Sequence, residues 1–342
     1  MGSSHKIRFR GVFKIMTNKY KYILIGDKRT QELANKKSDI KLSGLYQWSE
    51  TFQTFGEKGV VDNLWRKEDL EDFDIIHINY TPSNIQLPTM IRDQLGDSSS
   101  TKLVINVDYD ISLMSASWAY HVNIMIKELR MADVLFHVEP KGAEVLGHML
   151  NRDIKINPHP VDVSGLYDFI KGDRLTNPEW SPFTATIFHR YTASTLPQYI
   201  SQKNLPLRRV LFGYQPIGKQ AVVANCGMFD QILMYMPFQE YVEEISKALL
   251  GCDLYSGYSY GRVTIEMAGL CVPAVVSSTI GASHLFPYTT VDPFDTRKAE
   301  DLFQRLISDS EFANLVVKTA HERCSVYSLK NSYSRFVEMI EE

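Results

Sequence analysis

The sequence of 342 residues is poor in cysteine and has no strong excess of charge of either sign. Its four cysteines, Cys226, Cys252, Cys271 and Cys324, are widely spaced, which argues against a disulfide framework and against structural zinc. We expect them to be small core residues in a reducing, cytoplasmic setting. Lys and Arg number 37 against 40 Asp and Glu, so the sequence lacks the basic excess typical of general nucleic-acid binding.

Long hydrophobic runs are also missing. No window approaches the roughly 18 apolar residues that a membrane-spanning helix needs, so only peripheral membrane contact stays open. Residues 1–18 resemble an expression leader, because the apolar core and small-residue cleavage site of a signal peptide are lacking. We therefore leave residues 1–18 out of the fold prediction.

Several well-known nucleotide and hydrolase motifs do not occur. There is no G-x-G-x-x-G for a nicotinamide dinucleotide, no P-loop, no G-x-S-x-G and no H-E-x-x-H. Asp108-Tyr109-Asp110 matches a metal-binding Asp-x-Asp by letter, and we regard that match as a coincidence. These absences disfavour dehydrogenases, P-loop enzymes, serine hydrolases and zinc proteases.

The first half of the chain alternates between apolar runs and helical patterns. Strands are predicted over residues 22–25, 73–78, 103–107 and 132–138, and helices over 45–58, 86–95, 117–131 and 140–150. Continuously apolar strands that alternate with helices indicate a parallel sheet covered on both faces.

A polar segment at 171–182, with Pro178 and Pro182, predicts a connection between two domains, and the alternation then restarts. Strands are predicted over 184–188, 209–212 and 272–277, and helices over 239–250, 263–270, 297–308, 311–323 and 328–342. Open parallel sheets bind ligands at the carboxyl ends of their strands, so the cleft between the two halves is the expected active site.

The most specific stretch is residues 253–277, DLYSGYSYGRVTIEMAGLCVPAVVS, which resembles the nucleotide-sugar site of retaining GT-B glycosyltransferases of the family-four-like group. The matching residues are Gly261, Thr264, Glu266, Ala268, Gly269, Pro273, Val275, Val276 and Ser277. Weaker matches occur at 74–77, 157–162 and 292–295. The resemblance covers most of residues 20–340 but is diffuse outside 253–277.

This resemblance implies an α/β protein with two Rossmann-like parallel-sheet domains that face a cleft. It implies an acceptor domain at 19–170, a linker at 171–183, a nucleotide-sugar domain at 184–325, and a helix at 326–342 that crosses back. It also implies transfer of a hexosyl unit from a nucleoside-diphosphate sugar to an acceptor hydroxyl with retention, without a metal or other cofactor. The acceptor, whether glycan, lipid, protein or modified nucleic-acid base, is not identified.

The donor site expected from the resemblance begins with the helix after Gly261. The free amides of Gly261, Arg262 and Val263 suit a diphosphate, and Glu266 is assigned to the ribose hydroxyls. Arg190 is a candidate phosphate ligand, and Lys219 is a weaker one. Each residue has an alternative that involves no ligand. Glu266 is alternatively an acidic residue that the helix dipole favours near the helix N-terminus, and Arg190 is alternatively a solvated surface charge.

The sequence departs from the family pattern at three places. Tyr258 stands where the family has a sugar-contacting Glu, so it is a candidate catalytic residue, or alternatively it packs the cleft wall with Tyr255 and Tyr260. Leu196 stands where the family has a phosphate-binding Lys. Asp108 stands where the family often has His, and it is a candidate base or sugar contact, or alternatively a turn or helix cap. Asp110 and His77 are weaker candidates, since His77 lies in an apolar strand.

Two alternatives to catalysis by glycosyl transfer stay open. A non-catalytic GT-B module that binds a nucleotide or a partner glycosyltransferase would explain Tyr258 and the missing lysine. An epimerase or phosphorylase on the same fold is less favoured, because the cofactor lysine of such phosphorylases is not found.

Overall fold

The computed structural model describes ten segments of the chain. They comprise residues 19–25, 44–61, 67–81, 84–96, 99–108, 121–168, 181–188, 195–213, 227–233 and 238–342. The predicted leader at 1–18 lies outside the described residues, as does most of the predicted linker.

The first domain is built on a six-stranded parallel sheet. Its strands are β1 (Lys21–Ile25), β2 (Lys58–Val61), β3 (Ile75–Tyr80), β4 (Lys102–Val107), β5 (Val134–His137) and β6 (Lys155–Ile156), in the order β2-β1-β3-β4-β5-β6. Successive residues of β1 enter two different hydrophobic cores, with Tyr22 and Leu24 on one face and Ile23 and Ile25 on the other. Burial on both faces explains why the strands are continuously apolar.

The helices described in this half of the chain connect those strands or follow the last of them. They are α1 (Gly44–Phe55), α2 (Lys67–Leu70), α3 (Leu87–Leu95), α4 (Val122–Leu129), α5 (Pro140–Leu150) and α6 (Val163–Tyr167). Glu139 caps the start of α5 by accepting a hydrogen bond from the Lys141 amide, and its carboxylate also accepts from the Gly142 amide. The cap fixes the start of this helix at the carboxyl end of β5.

The second domain has a second six-stranded parallel sheet. Its strands are β7 (Ser181–Phe188), β8 (Arg208–Gly213), β9 (Gln231–Leu233), β10 (Ala248–Asp253), β11 (Ala274–Ser277) and β12 (Thr290–Val291), in the order β12-β11-β10-β7-β8-β9. Its helices are α7 (Thr195–Gln202), α8 (Phe238–Ser246), α9 (Arg262–Gly269), α10 (Thr296–Ser308) and α11 (Ser310–Cys324). Short 3₁₀ helices lie at Gly281–Leu285 and Ser325–Tyr327.

The helix α12 (Leu329–Glu341) follows the second domain but packs on the first. Its buried residues Tyr333, Phe336 and Val337 share a core with Trp48 and Phe52 of α1. Phe336 is central to this core, and its ring lies 5.1 Å from that of Phe52 and 5.0 Å from that of Trp48. The expected crossing back of the last helix is therefore confirmed.

Two stretches of chain that connect the domains meet beside α12. The guanidinium of Arg335 donates to the carbonyls of Pro158 and Val326, at 3.2 and 3.0 Å. The Val161 amide donates to the Tyr327 carbonyl at 2.8 Å, which ties the outgoing stretch to the returning one. Burial lowers the pKa of Arg335 to about 10, which leaves it charged at neutral pH.

Most predicted elements are confirmed, and the clearest error lies in the helix predicted over 239–250. This helix ends at Ser246, and Ala248–Asp253 is β10, in the middle of the second sheet. A short apolar run is ambiguous between strand and helix, and here burial beside β7 and β11 decides for the strand. The helix predicted over 45–58 also ends early, at Phe55, and gives way to the edge strand β2.

Other bounds differ by a few residues. β7 begins at Ser181 and overlaps the predicted linker at 171–183, while the described helix within 117–131 begins at Val122. Val163 and Leu166 of α6 pack in the core of the second domain, although they precede the predicted boundary at 170. The domain boundaries themselves stay predictions, because residues 169–180 lie outside the described part of the chain.

Candidate functional site

A left-handed glycine opens the helix α9. Gly261 has φ = +84°, and a Cβ at this position would lie 2.2 Å from Cγ2 of Ile280. Both the backbone angle and the close contact therefore require glycine. The preceding loop is held in place because the amides of Gly281 and Ala282 donate to the carbonyls of Ser259 and Tyr260, at 2.7 and 3.0 Å.

This turn lies where the strand order of the second sheet reverses. β7 is paired with both β8 and β10, so the chain leaves these neighbouring strands toward opposite halves of the sheet. At the end of β10, the Asp253 carboxylate accepts from the Thr264 hydroxyl of α9 at 2.8 Å. Such a reversal opens a crevice at the carboxyl ends of the strands.

The first turn of α9 points its amides at that crevice. Its N-cap residue, Gly261, has no side chain that could cap the first amides of the helix, while the Gly261 amide itself donates to Oγ of Ser259 at 3.2 Å. Val263 is buried in the domain core, and the whole helix is enclosed by the second domain. A helix N-terminus without a side-chain cap is a suitable site for an anion.

Glu266 lies one turn further along α9 and is completely buried. Its Oε1 is 2.6 Å from Nε of Arg262, and its Oε2 accepts from the Tyr241 hydroxyl at 3.0 Å. Burial raises the pKa of Glu266, whereas the Arg262 charge and both hydrogen bonds lower it. The Arg262 guanidinium also lies over the Phe238 ring, 5.5 Å from its centroid.

Tyr258, which replaces a family Glu, is half-buried at the tip of the same loop. The pKa of Lys141 in α5 is raised mainly by its hydrogen bond to Glu144, and Tyr258 and the Glu139 carboxylate add to the increase. Gly281, whose amide bonds to the loop at Ser259, lies close to the cap of α5, because a Cβ on Gly281 would be 3.6 Å from Cβ of Glu139. The loop of the second domain thus comes close to the N-terminus of a helix in the first.

Asp108 follows β4, and its side chain is 32% exposed. Its Oδ2 lies 3.0 Å from Nε2 of His159, and Nδ1 of His159 accepts from the Trp48 indole at 3.0 Å. The ring of His159 meets the Tyr260 ring edge-on, with 5.2 Å between centroids. Sequence reasoning singled out Asp108 but missed Trp48, His159 and Tyr260 as its neighbours, because no spacing rule links such distant segments.

His77 is a core residue, as its position in an apolar strand predicts. Its Nδ1 lies 2.7 Å from the Tyr22 hydroxyl, and its Nε2 has no hydrogen-bond partner within the described structure. Burial, with a smaller contribution from His159, lowers the pKa of His77 to about 3. His77 is therefore neutral at physiological pH.

The remaining sequence candidates cannot be placed. Arg190, Lys219 and Asp110 lie outside the described residues. Cys252, Cys271 and Cys324 are buried and form no disulfide within the described structure, as expected of small core residues, and Cys226 lies outside it. Within the described ranges, no cluster of three His, Cys, Asp or Glu residues could hold a metal ion.

None of the described helices has both the length and the hydropathy to cross a bilayer. No protein-family model matches this sequence, and no curated protein matches it.

Solved structures give strong similarities at low sequence identity. An alpha-glucosyltransferase in complex with UDP and a 13-mer DNA aligns with a TM-score of 0.68 and 12% identity, over 95% of this chain and 100% of that one. HepE from Anabaena, in complex with UDP, aligns with a TM-score of 0.65 and 13% identity, over 94% and 99% of the two chains. A trehalose-6-phosphate synthase, described for glycosyl transfer with retention, gives 0.60 and 11%, over 80% and 76%. The two parallel-sheet domains and these similarities together show that the chain has the GT-B fold.

Proposed function

We propose that this protein transfers a hexosyl unit from a nucleoside-diphosphate sugar to an acceptor hydroxyl, without a metal. The carrying observation is the glycine turn at Gly261, which presents the uncapped N-terminus of α9 at the reversal of strand order. A pyrophosphate is the anion that best suits such a turn, because several amides can donate to its oxygens at once. Catalysis then rests on positioning and on stabilising the departing diphosphate.

The structural relatives support the choice of donor. The alpha-glucosyltransferase and HepE were solved with UDP, so uridine nucleotides are the first probes to use. The trehalose-6-phosphate synthase is described for transfer with retention, which supports a retaining outcome here. Anomeric analysis of the product by NMR tests this stereochemistry directly.

Within this proposal, the amides of Gly261, Arg262 and Val263 bind the diphosphate, and Glu266 binds the ribose. The ribose hydroxyls would replace the Tyr241 hydroxyl on Oε2 of Glu266, while Arg262 keeps Oε1 in place. Arg190 and Lys219 stay proposed phosphate ligands on the strength of the sequence resemblance alone.

Calorimetric titration with UDP, GDP and ADP tests whether the turn at Gly261 binds a diphosphate. We expect Gly261→Ala to weaken the nucleotide bound by the wild type at least about tenfold, because the new Cβ must displace Ile280 and the turn. Gly96→Ala is the matched control: Gly96 also has positive φ, at +71°, but a Cβ there meets nothing within 4 Å. Equal nucleotide affinity in folded Gly261→Ala would contradict the proposal, as would a wild type that binds none of the three nucleotides.

Testing whether Glu266 binds the ribose requires a more conservative substitution than alanine. Removing the carboxylate of Glu266 leaves the buried Arg262 charge uncompensated, which costs about 3–5 kcal/mol and confuses binding with folding. Glu266→Gln also loses the charge but keeps the shape of the side chain and an oxygen that can accept from Arg262, so we measure its free energy of unfolding alongside binding. We expect it to weaken nucleotide binding about tenfold through the lost charged hydrogen bonds. Glu240→Gln, on the exposed side of α8, is the control that should bind as the wild type does.

One observation favours a second candidate, a non-catalytic nucleotide-binding module. By the sequence resemblance, Tyr258 places a phenol where the family has the carboxylate that touches the transferred sugar. Nucleotide binding without release of UDP, GDP or ADP from any tested sugar nucleotide would favour this candidate over the transferase.

A further inference from the structure

The hydrogen bonds around His159 fix where its proton lies. The indole of Trp48 can only donate, so Nδ1 of His159 must be the acceptor of that bond. In a neutral imidazole the proton is then on Nε2, and Nε2 donates to Oδ2 of Asp108 at 3.0 Å. The orientation of the Asp108 carboxylate is thus set through His159 by Trp48.

The bond from Trp48 also disfavours the other neutral tautomer, because a proton on Nδ1 would point at the N–H of Trp48. The tautomer with its proton on Nε2 is therefore the one that fits both neighbours, Trp48 and Asp108.

The third neighbour of His159 ties this arrangement to the donor loop. Tyr260 packs edge-on against the imidazole and immediately precedes Gly261, the residue that opens the anion-binding turn. Asp108 is therefore separated from the glycine turn by two packed rings, on the opposite wall of the cleft. Since 32% of its side chain is exposed, a group in the cleft can reach the carboxylate.

We propose, on the basis of the function proposed above, that His159 is a positioning residue that aims Asp108 at a hydroxyl group of the donor's sugar. Trp48 selects the tautomer of His159 that can do this. In this tautomer the Nε2 N–H donates to one carboxylate oxygen of Asp108 and so orients the carboxylate. Asp108 and His159 therefore contribute to sugar recognition, separately from the pyrophosphate turn.

The experiment compares the affinities for UDP and for UDP-glucose, UDP-galactose and UDP-N-acetylglucosamine by calorimetry. We expect the wild type to bind at least one sugar nucleotide about tenfold more tightly than UDP, since a hydrogen bond to a carboxylate is worth about that much. His159→Phe keeps a ring against Tyr260 but cannot hold Asp108, so we expect the preference for the sugar nucleotide to fall severalfold. The affinity for UDP itself should not change.

A second variant separates the tautomer from packing. In Trp48→Phe, Nδ1 of His159 loses its donor, so the proton is no longer held on Nε2 and the preference for the sugar nucleotide should fall severalfold. Phe52→Leu, which disturbs the same core on the same helix without a hydrogen bond to His159, should behave as the wild type does.

Four results would contradict these inferences. An unchanged sugar preference in folded His159→Phe overturns this inference, as does a wild type that binds UDP and all three sugar nucleotides equally. An unchanged sugar preference in folded Trp48→Phe overturns the role of the tautomer. A wild type that binds no nucleotide at all overturns the proposed function as well.

Discussion

Buried polar side chains of the first domain gather on one face of its sheet. Asn79 and Asn106 are register partners on β3 and β4, and His77 lies two residues before Asn79 on the same face. Nε2 of His77, Oδ1 of Asn79 and both carboxamide atoms of Asn106 have no hydrogen-bond partner in the described structure. A buried polar group without a hydrogen bond costs free energy of folding, so these side chains lower the stability of the first domain.

His77 makes stability depend on pH. Its pKa falls from 6.5 to about 3 on folding, so at a pH between these values His77 is protonated in the unfolded chain but neutral in the folded one. The free energy of unfolding therefore falls as the pH drops below 6.5. We expect urea unfolding of the wild type at pH 5 to show up to about 2 kcal/mol of loss from this residue, relative to pH 7.

His77→Gln should reduce that acid-induced loss, whereas His148→Gln, at an exposed position of α5, should leave it unchanged. Equal acid sensitivity of the His77 and His148 variants would show that His77 is protonated in the folded protein.

At single residues, sequence reasoning found positions better than partners. Gly261 and Glu266 were located by resemblance, and the structure shows why glycine is required at the first. The pairing of Arg262 with Glu266 was available from their spacing of four residues on a helix. The contacts of Asp108 with His159, and of His159 with Trp48, join three distant segments, and only the fold brings those together.

At the scale of elements, long periodic helices were predicted well and short strands poorly. The sequence pattern predicts α5 with its observed bounds. It does not predict the edge strands β2 and β9, because each has only three or four residues and these include polar ones. The apolar pattern of α8 continues into the first residues of β10, and this continuity wrongly predicts helix as far as residue 250. Periodicity cannot locate such a change, whereas pairing with neighbouring strands can.

The packing of α12 on the first domain gives a prediction at this scale. The Phe336 ring is fully buried and contacts the rings of Tyr22, Phe52 and Phe136. We expect Phe336→Ala to lower the free energy of unfolding by about 3–5 kcal/mol, measured by urea denaturation. Leu315→Ala, at an exposed position of α11, should change it by less than about 0.5 kcal/mol. A small effect at Phe336 would mean that α12 is not a fixed part of the first domain.

At the scale of the whole molecule, two domains are joined where Arg335 binds both connecting stretches. Arg335→Lys keeps the charge but cannot donate to Pro158 and Val326 together, so we expect the free energy of unfolding to fall by about 2 kcal/mol. The exposed Arg297→Lys is the matched control and should be neutral in the same urea titration. Equal free energies of unfolding for the two variants would show that the hydrogen bonds of Arg335 do not stabilise the junction between the domains.

The return of α12 also bears on how the protein is made. Synthesis on the ribosome proceeds from the N-terminus, so the sheet of residues 21–156 emerges early, while the helix that covers Trp48 and Phe52 emerges after the whole second domain. Until then the aromatic face that includes Trp48 and Phe52 is exposed to solvent, where it can aggregate or bind a chaperone. The half that is translated first is thus the half that is completed last.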